Sequence, residues 1–255
     1  MVKGLEIFRE HFRNYADRYV LIGGAACDIA MTGAGLEFRA TKVLDIVLYV
    51  EALDAAFVRA FWEFVRAGGY EVQEKSIGEK QFYRFQKPTS TDYPFMLELF
   101  SRQPDVLQVA EGSHLTPLPI EEDISSLSAI LLDNDYYAFI RDGSVEIDEV
   151  PTVGAAQLIA LKARAWLDLT ERERRGEKID SKTIKKHKND VFRLYQILDP
   201  ASDPAAPEAV KKDIGEFISR MRNEDVDLKS LGLRTGTRDG ILTEIARVYR
   251  LAEID

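Results

Sequence analysis

The spacing of apolar residues changes period along the chain, and each change marks a predicted element. Residues 1–16, "MVKGLEIFREHFRNYA", place Leu5, Phe8, Phe12 and Tyr15 near one helical face. "RYVLI" is a short apolar strand that ends on Gly23 and Gly24, after which "AACDIAM" starts a helix. "LDIVLYV" is a second strand. "EALDAAFVRAFWEFVRAGGY" is a helix that stops at Gly68 and Gly69. "YEVQEK", "KQFYRFQK" and "PFMLELF" alternate as strands, with turns at "SIGEK" and "PTSTDY". From Pro104 to Pro151 the pattern weakens. "SRQPD" and "HLTPLP" read as loops, "DISSLSAILLDNDYYAFI" as a short helix or a strand pair, and "RDGSVEIDEVPTV" as a turn and a strand. Beyond Pro151, "VGAAQLIALKARAWLDLTERERR", "SKTIKKHKNDVFRLYQIL", "PEAVKKDIGEFISRMRN" and "TRDGILTEIARVYRLAEI" are amphipathic helices. The pattern predicts an α+β core over 1–150, a mixed sheet with flanking helices, followed by a helical bundle over 151–255.

Composition narrows the class. With 255 residues and 45% apolar content the chain is long enough for a sizeable core. No apolar run approaches the length of a membrane span, and the charged N-terminus lacks the apolar region of a secretory signal. Cys27 is the single cysteine, which excludes an intramolecular disulfide and a cysteine-based zinc site. These features point to a cytoplasmic protein with no membrane partner. The net charge of −9 is unevenly shared: −11 over residues 1–150 and +2 over 151–255. A polyanion would meet the C-terminal part first.

Chemistry concentrates on two strands. Residues two apart on a strand share a face. Val43, Asp45, Val47 and Tyr49 therefore align, as do Met96, Glu98 and Phe100. A carboxylate among apolar strand neighbours is costly unless it is paired or binds a metal. If the strands are neighbours, Asp45 and Glu98 meet on one side of the sheet. Otherwise each sits wet near a strand end or pairs with a Lys or Arg. Upstream, Gly23 and Gly24 expose backbone N–H groups at a helix start, where an anion is favoured. A phosphate cradle on one strand and a carboxylate on the next suits phosphoryl or nucleotidyl transfer.

"LIGGAACDIAM" followed by "FRATKVLDIVLYV" resembles the signature of the polymerase-β-type nucleotidyltransferase superfamily, and within it the AbiEii/AbiGii-type toxins. "LIALKARAW" and "KKHKNDVFRL" extend the resemblance, with Lys162 and Asp190 at the family's lysine and aspartate positions. The resemblance implies a nucleotidyltransferase fold with two Mg²⁺ ions and an NTP held between core and bundle. It implies that Gly23 and Gly24 contact the triphosphate through their amides. Asp45 is the second Asp of an Asp-x-Asp pair, and Glu98 the third carboxylate or the base. Arg39, Thr41 and Lys42 lie at the mouth of the site. Lys162 reaches a phosphate, with Asp190 orienting it or another basic residue. Without the resemblance, Lys162, Asp190, Arg39 and Lys42 read as ordinary surface charges.

Val43 is the departure, because the pattern has Asp there. Valine offers no oxygen to a metal yet suits a strand. The expectation is a nucleotidyltransferase that folds normally and is catalytically impaired. The resemblance further implies a tRNA 3′ end as acceptor, a toxin–antitoxin or phage-defence role, and a cognate antitoxin as partner. Two alternatives stand beside it. The acidic N-terminal part suits a polycationic, aminoglycoside-type substrate, and the lost ligand suits a non-catalytic nucleotide- or protein-binding module. The stretch 171–188, "ERERRGEKIDSKTIKKHK", carries eight basic and four acidic residues. It has no aromatic residue for base stacking and reads as a mobile charged connector, with His187 at the surface.

Overall fold

Side-chain alternation along β2 (Val43–Leu48) organises the first part of the molecule. The computed structural model describes residues 2–49, 52, 54–77, 80–101 and 133–251. The expected loop "SRQPD" beyond Ser101, which ends β5, the expected loop "HLTPLP", and residues 123–132 fall outside these. The sheet has the order β1-β2-β5-β4-β3, with β1 Tyr19–Ile22, β3 Glu71–Ile77, β4 Lys80–Gln86 and β5 Met96–Ser101. β2 runs antiparallel to β1 and parallel to β5, so the sheet is mixed. Leu44 is opposite Leu97, and Leu97 is opposite Phe85. These residues face an aromatic layer from α1 (Leu5–Phe12) and α3 (Ala55–Gly68). The Phe61 and Trp62 rings meet Phe85 edge-on at 5.3 and 5.9 Å, and Phe8 meets Tyr19 at 5.5 Å. Such edge-to-face pairs add to the stabilisation from area burial. Residues of the opposite parity, Val43, Asp45, Met96, Glu98 and Arg84, occupy the other face. Helix α2 (Gly23–Gly33) packs against β1 and β2.

The described residues fall into two compact units, and the chain changes unit at Ser144 and again after Val153. This differs from a single division at residues 150/151. The strands β6 (Ser144–Ile147) and β7 (Val150–Val153) form a hairpin, where one strand was expected, and they belong with the sheet. β7 is wholly buried, and the Thr152 hydroxyl donates to the Leu21 carbonyl at 3.3 Å. The turn holds Asp148 and Glu149 at φ 51° and 60°, the left-handed pair that a two-residue hairpin of this twist requires.

The second unit is helical: α4 (Asn134–Asp142), α5 (Ala155–Arg174), α6 (Ser181–Tyr195), α7 (Glu208–Met221) and α8 (Arg238–Val248). Asp133 caps α4 and Asp180 caps α6 through their side chains. Trp166 and Phe217 pack edge-on at 5.4 Å in its core. Buried Asp213 accepts from the Tyr136 hydroxyl at 2.8 Å and from Arg164 at 2.9 Å, joining α4, α5 and α7. The stretch 171–188 is not a mobile connector. Most of it is helix, with only residues 175–180 between α5 and α6. Arg172 pairs with Glu177 at 2.7 Å, and Arg174 and Arg175 both pair with Glu171. His187 is buried rather than at the surface, because its position on α6 turns it inward beside Val191 and Asp190.

No described helix is long and apolar enough to cross a membrane.

Candidate functional site

Four strands bring the site together. Ile22 of β1 lies opposite Asp45, Asp45 lies opposite Glu98, and Glu98 lies opposite Arg84. Asp45 is 7% exposed, and the side chains of Glu98 and Arg84 are each 12% exposed. Arg84 donates from Nε and Nη2 to the same oxygen, Glu98 Oε1, at 3.0 and 2.7 Å. Glu98 also shares a hydrogen bond with Asp45. Burial, then the Asp45 charge, raise the Glu98 pKa to about 8, against the downward pull of Arg84. Two neighbouring carboxylates in a poorly solvated place favour either a shared proton or a bound cation.

The glycine pair closes the phosphate side. Gly23 has φ 67°, and a Cβ there would lie 1.8 Å from Asp45 Oδ2. Glycine is thus required twice, by conformation and by space. A Cβ on Gly24 would lie 2.7 Å from Thr41 Oγ1 and 3.7 Å from an Arg39 nitrogen. Gly23, Gly24, Arg39, Thr41, Asp45 and Glu98 therefore gather at one end of β1, β2 and β5. The α2 N-terminus begins at Gly23 with no side-chain cap, which leaves its first N–H groups for an anion. Arg39 stacks over Phe38 at 5.1 Å, and Lys42 lies 5.9 Å from the Phe95 ring centre. Val43 stands first on β2, opposite Met96, on the face of Asp45.

Lys162 and Asp190 lie within the helical unit. Neither is an ordinary surface charge: Lys162 is 5% exposed and Asp190 fully buried. Lys162 Nζ is 3.6 Å from Asp190 Oδ2, and Arg193 Nη1 is 3.3 Å from Oδ1. Helix periodicity alone could have flagged the pair as inward-facing, since Leu158, Ile159, Ala165 and Trp166 surround Lys162 in sequence. Arg84 was missed because its tie to Glu98 is a cross-strand pairing with no local signature.

The donor set fits one hard divalent cation. Mg²⁺ is commonly held by one or two carboxylates with water and substrate phosphate completing its shell. Among the described residues no group of three His, Cys, Asp or Glu side chains is placed to hold a metal. The two ions that an intact Asp-x-Asp site implies do not fit these residues.

No family model matches the chain, and no curated protein matches it. Among solved structures, an antigenic nucleotidyltransferase-like protein from Paracoccidioides brasiliensis is similar at 14% identity. That match covers 98% of this chain and 99% of that one, with a TM-score of 0.41. A cytoplasmic RNA terminal U-transferase is similar at 11% identity over 96% of this chain and 63% of that one, with a TM-score of 0.30. The structure of Cid1 with its short product ApU is similar at 9% identity over 89% of each chain, with a TM-score of 0.25. Likeness at these levels is too slight to assign an activity.

Three outcomes are expected. Gly35, at φ 75° with nothing within 4 Å of a Cβ, is the control for Gly23. Gly35→Ala costs about 1–2 kcal/mol from backbone strain. Gly23→Ala costs about 1–3 kcal/mol more from the collision with Asp45. Urea denaturation of the two variants checks this, and equal losses contradict it. In the second unit, Asp190→Ala leaves Lys162 buried and unpaired and costs about 3–5 kcal/mol. Lys211→Ala, which breaks an exposed pair with Glu208, costs no more than about 1 kcal/mol by the same assay. The third concerns pH. Folded Glu98 keeps its proton up to about pH 8, whereas the unfolded chain loses it near 4.5. Between those values the folded state binds more protons, so stability falls as pH rises. Glu98→Gln removes that slope, and the difference between wild-type and variant denaturation free energies from pH 4.5 to 8 measures it. A pH-independent difference is the contrary result.

Proposed function

We propose that this chain binds a nucleoside triphosphate with Mg²⁺ and transfers a nucleotide to a macromolecular acceptor, with the transfer impaired by Val43. The observation that supports this best is the register pairing of Asp45 with Glu98 beside the Gly23–Gly24 turn. In this proposal the glycine amides and the α2 N-terminus receive the triphosphate, and Arg39 and Thr41 add donors beside Gly24. Asp45 and Glu98 would hold Mg²⁺, which when bound neutralises charge developing on the phosphoryl oxygens. Alternatively, Glu98 would leave the ion to Asp45 and, once ionised, take the proton of an acceptor hydroxyl. The phosphate role that the resemblance gives Lys162 requires its ammonium to exchange Asp190 for a phosphate oxygen.

The AbiEii/AbiGii resemblance extends the proposal to a tRNA 3′ end as acceptor, a toxin held by a cognate antitoxin, and action in the cytoplasm. A second reading, nucleotide binding without transfer, is favoured by Val43 together with the closed Arg84–Glu98 pair.

The test incubates wild type and Val43→Asp with total tRNA, Mg²⁺ and each labelled NTP. Val43→Asp should label RNA on the order of 100-fold faster than wild type, since a restored ligand returns several kcal/mol of transition-state stabilisation. Absence of labelling by the variant with every NTP contradicts transfer. Calorimetric binding of an NTP without labelling then supports the second reading.

A further inference from the structure

The charge around the carboxylates sets what can enter. Asp45 and an ionised Glu98 contribute −2, and Arg84, fixed on Glu98, returns +1. A site with three carboxylates would carry −3. A divalent cation approaching Asp45, ionised Glu98 and Arg84 meets a net −1 on these three groups, with a guanidinium in contact with one of its two ligands. Coulomb energy in a weakly screened place scales directly with those charges. β4 pairs with β5 over Gln81–Gln86, and that register puts Arg84 beside Glu98. Its Nε and Nη2 both donate to Oε1, so a metal that takes that oxygen displaces Arg84 from it.

The missing charge is available from a triphosphate. Of the anion-receptive groups, the α2 N-terminus adjoins Asp45 through Gly23, which packs against its carboxylate, and Thr41 and Arg39 lie beside Gly24. A nucleotide seated there brings several negative charges and oxygens of its own to the cation.

Resting on the reading of Asp45 and Glu98 as a cation site for nucleotide chemistry, we infer that Arg84 is a built-in competitor that keeps the site from holding a free divalent ion. A single ion enters only together with the triphosphate that supplies its remaining charge and ligands. Arg84 is a positioning residue in this scheme: it touches Glu98, not the substrate. It makes ion binding conditional on nucleotide, so the protein does not load metal when NTP is absent.

The experiment is a Mn²⁺ titration followed by electron paramagnetic resonance at pH 8.5, with and without a non-hydrolysable NTP analogue. It uses the full chain as wild type, Arg84→Gln and Arg84→Lys. Wild type should bind one Mn²⁺, at least tenfold more tightly with the analogue than without it. Arg84→Gln should bind Mn²⁺ alone at least tenfold more tightly than wild type, and the gain from the analogue should shrink. Arg84→Lys, which keeps the charge, should behave as wild type, and it remains informative if Arg84→Gln does not fold. Two ions on wild type overturn the inference. So does equal affinity with and without the analogue, or Arg84→Gln binding Mn²⁺ no better than wild type, while a nucleotide site remains. Failure of Mn²⁺ and of the analogue to bind any of the three proteins overturns both the inference and the nucleotidyltransferase reading.

Discussion

The parallel register of β2 on β5 is the constraint on which the rest depends. It sets Leu44 against Leu97 and Asp45 against Glu98. One parity of each strand faces the aromatic layer, and the other carries the carboxylates. A slip of β2 by one residue would drive Asp45 into the layer formed by Phe61, Trp62 and Phe85 and would turn Leu44 out of it. The hydrophobic demand of one face therefore fixes the chemistry of the other. A second register, β4 antiparallel on β5, places Arg84 on Glu98 and so brings the counter-charge to the site.

The two units handle buried charge differently. In the helical unit Asp190 is met by Lys162 and Arg193, and Asp213 by Arg164 and Tyr136. These groups are paired from within the unit, as a stable interior requires. Among the described residues of the sheet unit, Asp45 and Glu98 face Arg84, and Glu98 is held far above an ordinary carboxylate pKa. An arrangement that is costly to keep without a ligand, beside an uncapped helix N-terminus and a glycine with no room for a side chain, is what separates a site from a structural ion pair.

Much of this was legible along the chain. The β1–Gly-Gly–α2 passage, the alternation of β2 and β5, and the Gly68–Gly69 helix stop follow from local rules. Gly69 indeed adopts φ 62° after α3. The mixed sheet followed by helices matches the expected fold class. What local rules do not carry is partner choice at a distance. Nothing in "KQFYRFQ" says that Arg84 faces Glu98, and nothing in "SVEIDEVPTV" says that its hairpin joins β1 instead of the bundle that follows. Lys162 and Asp190 looked like surface charges one at a time. Their burial is a property of the helix pair, and the same holds for His187 within a strongly basic run. Val43 was legible as a departure, but its consequence depends on Arg84, which was not.

The Asp45–Glu98 face is proposed to hold one cation together with a triphosphate. The direct measurement is a crystal structure of the full chain grown with Mn²⁺ and a non-hydrolysable NTP analogue, with anomalous scattering used to place the metal. The expected result is a single anomalous peak about 2 Å from carboxylate oxygens of Asp45 and Glu98, with the triphosphate against Gly23 and Gly24. A bound triphosphate away from the glycine pair, or a metal peak that touches neither carboxylate, would contradict it.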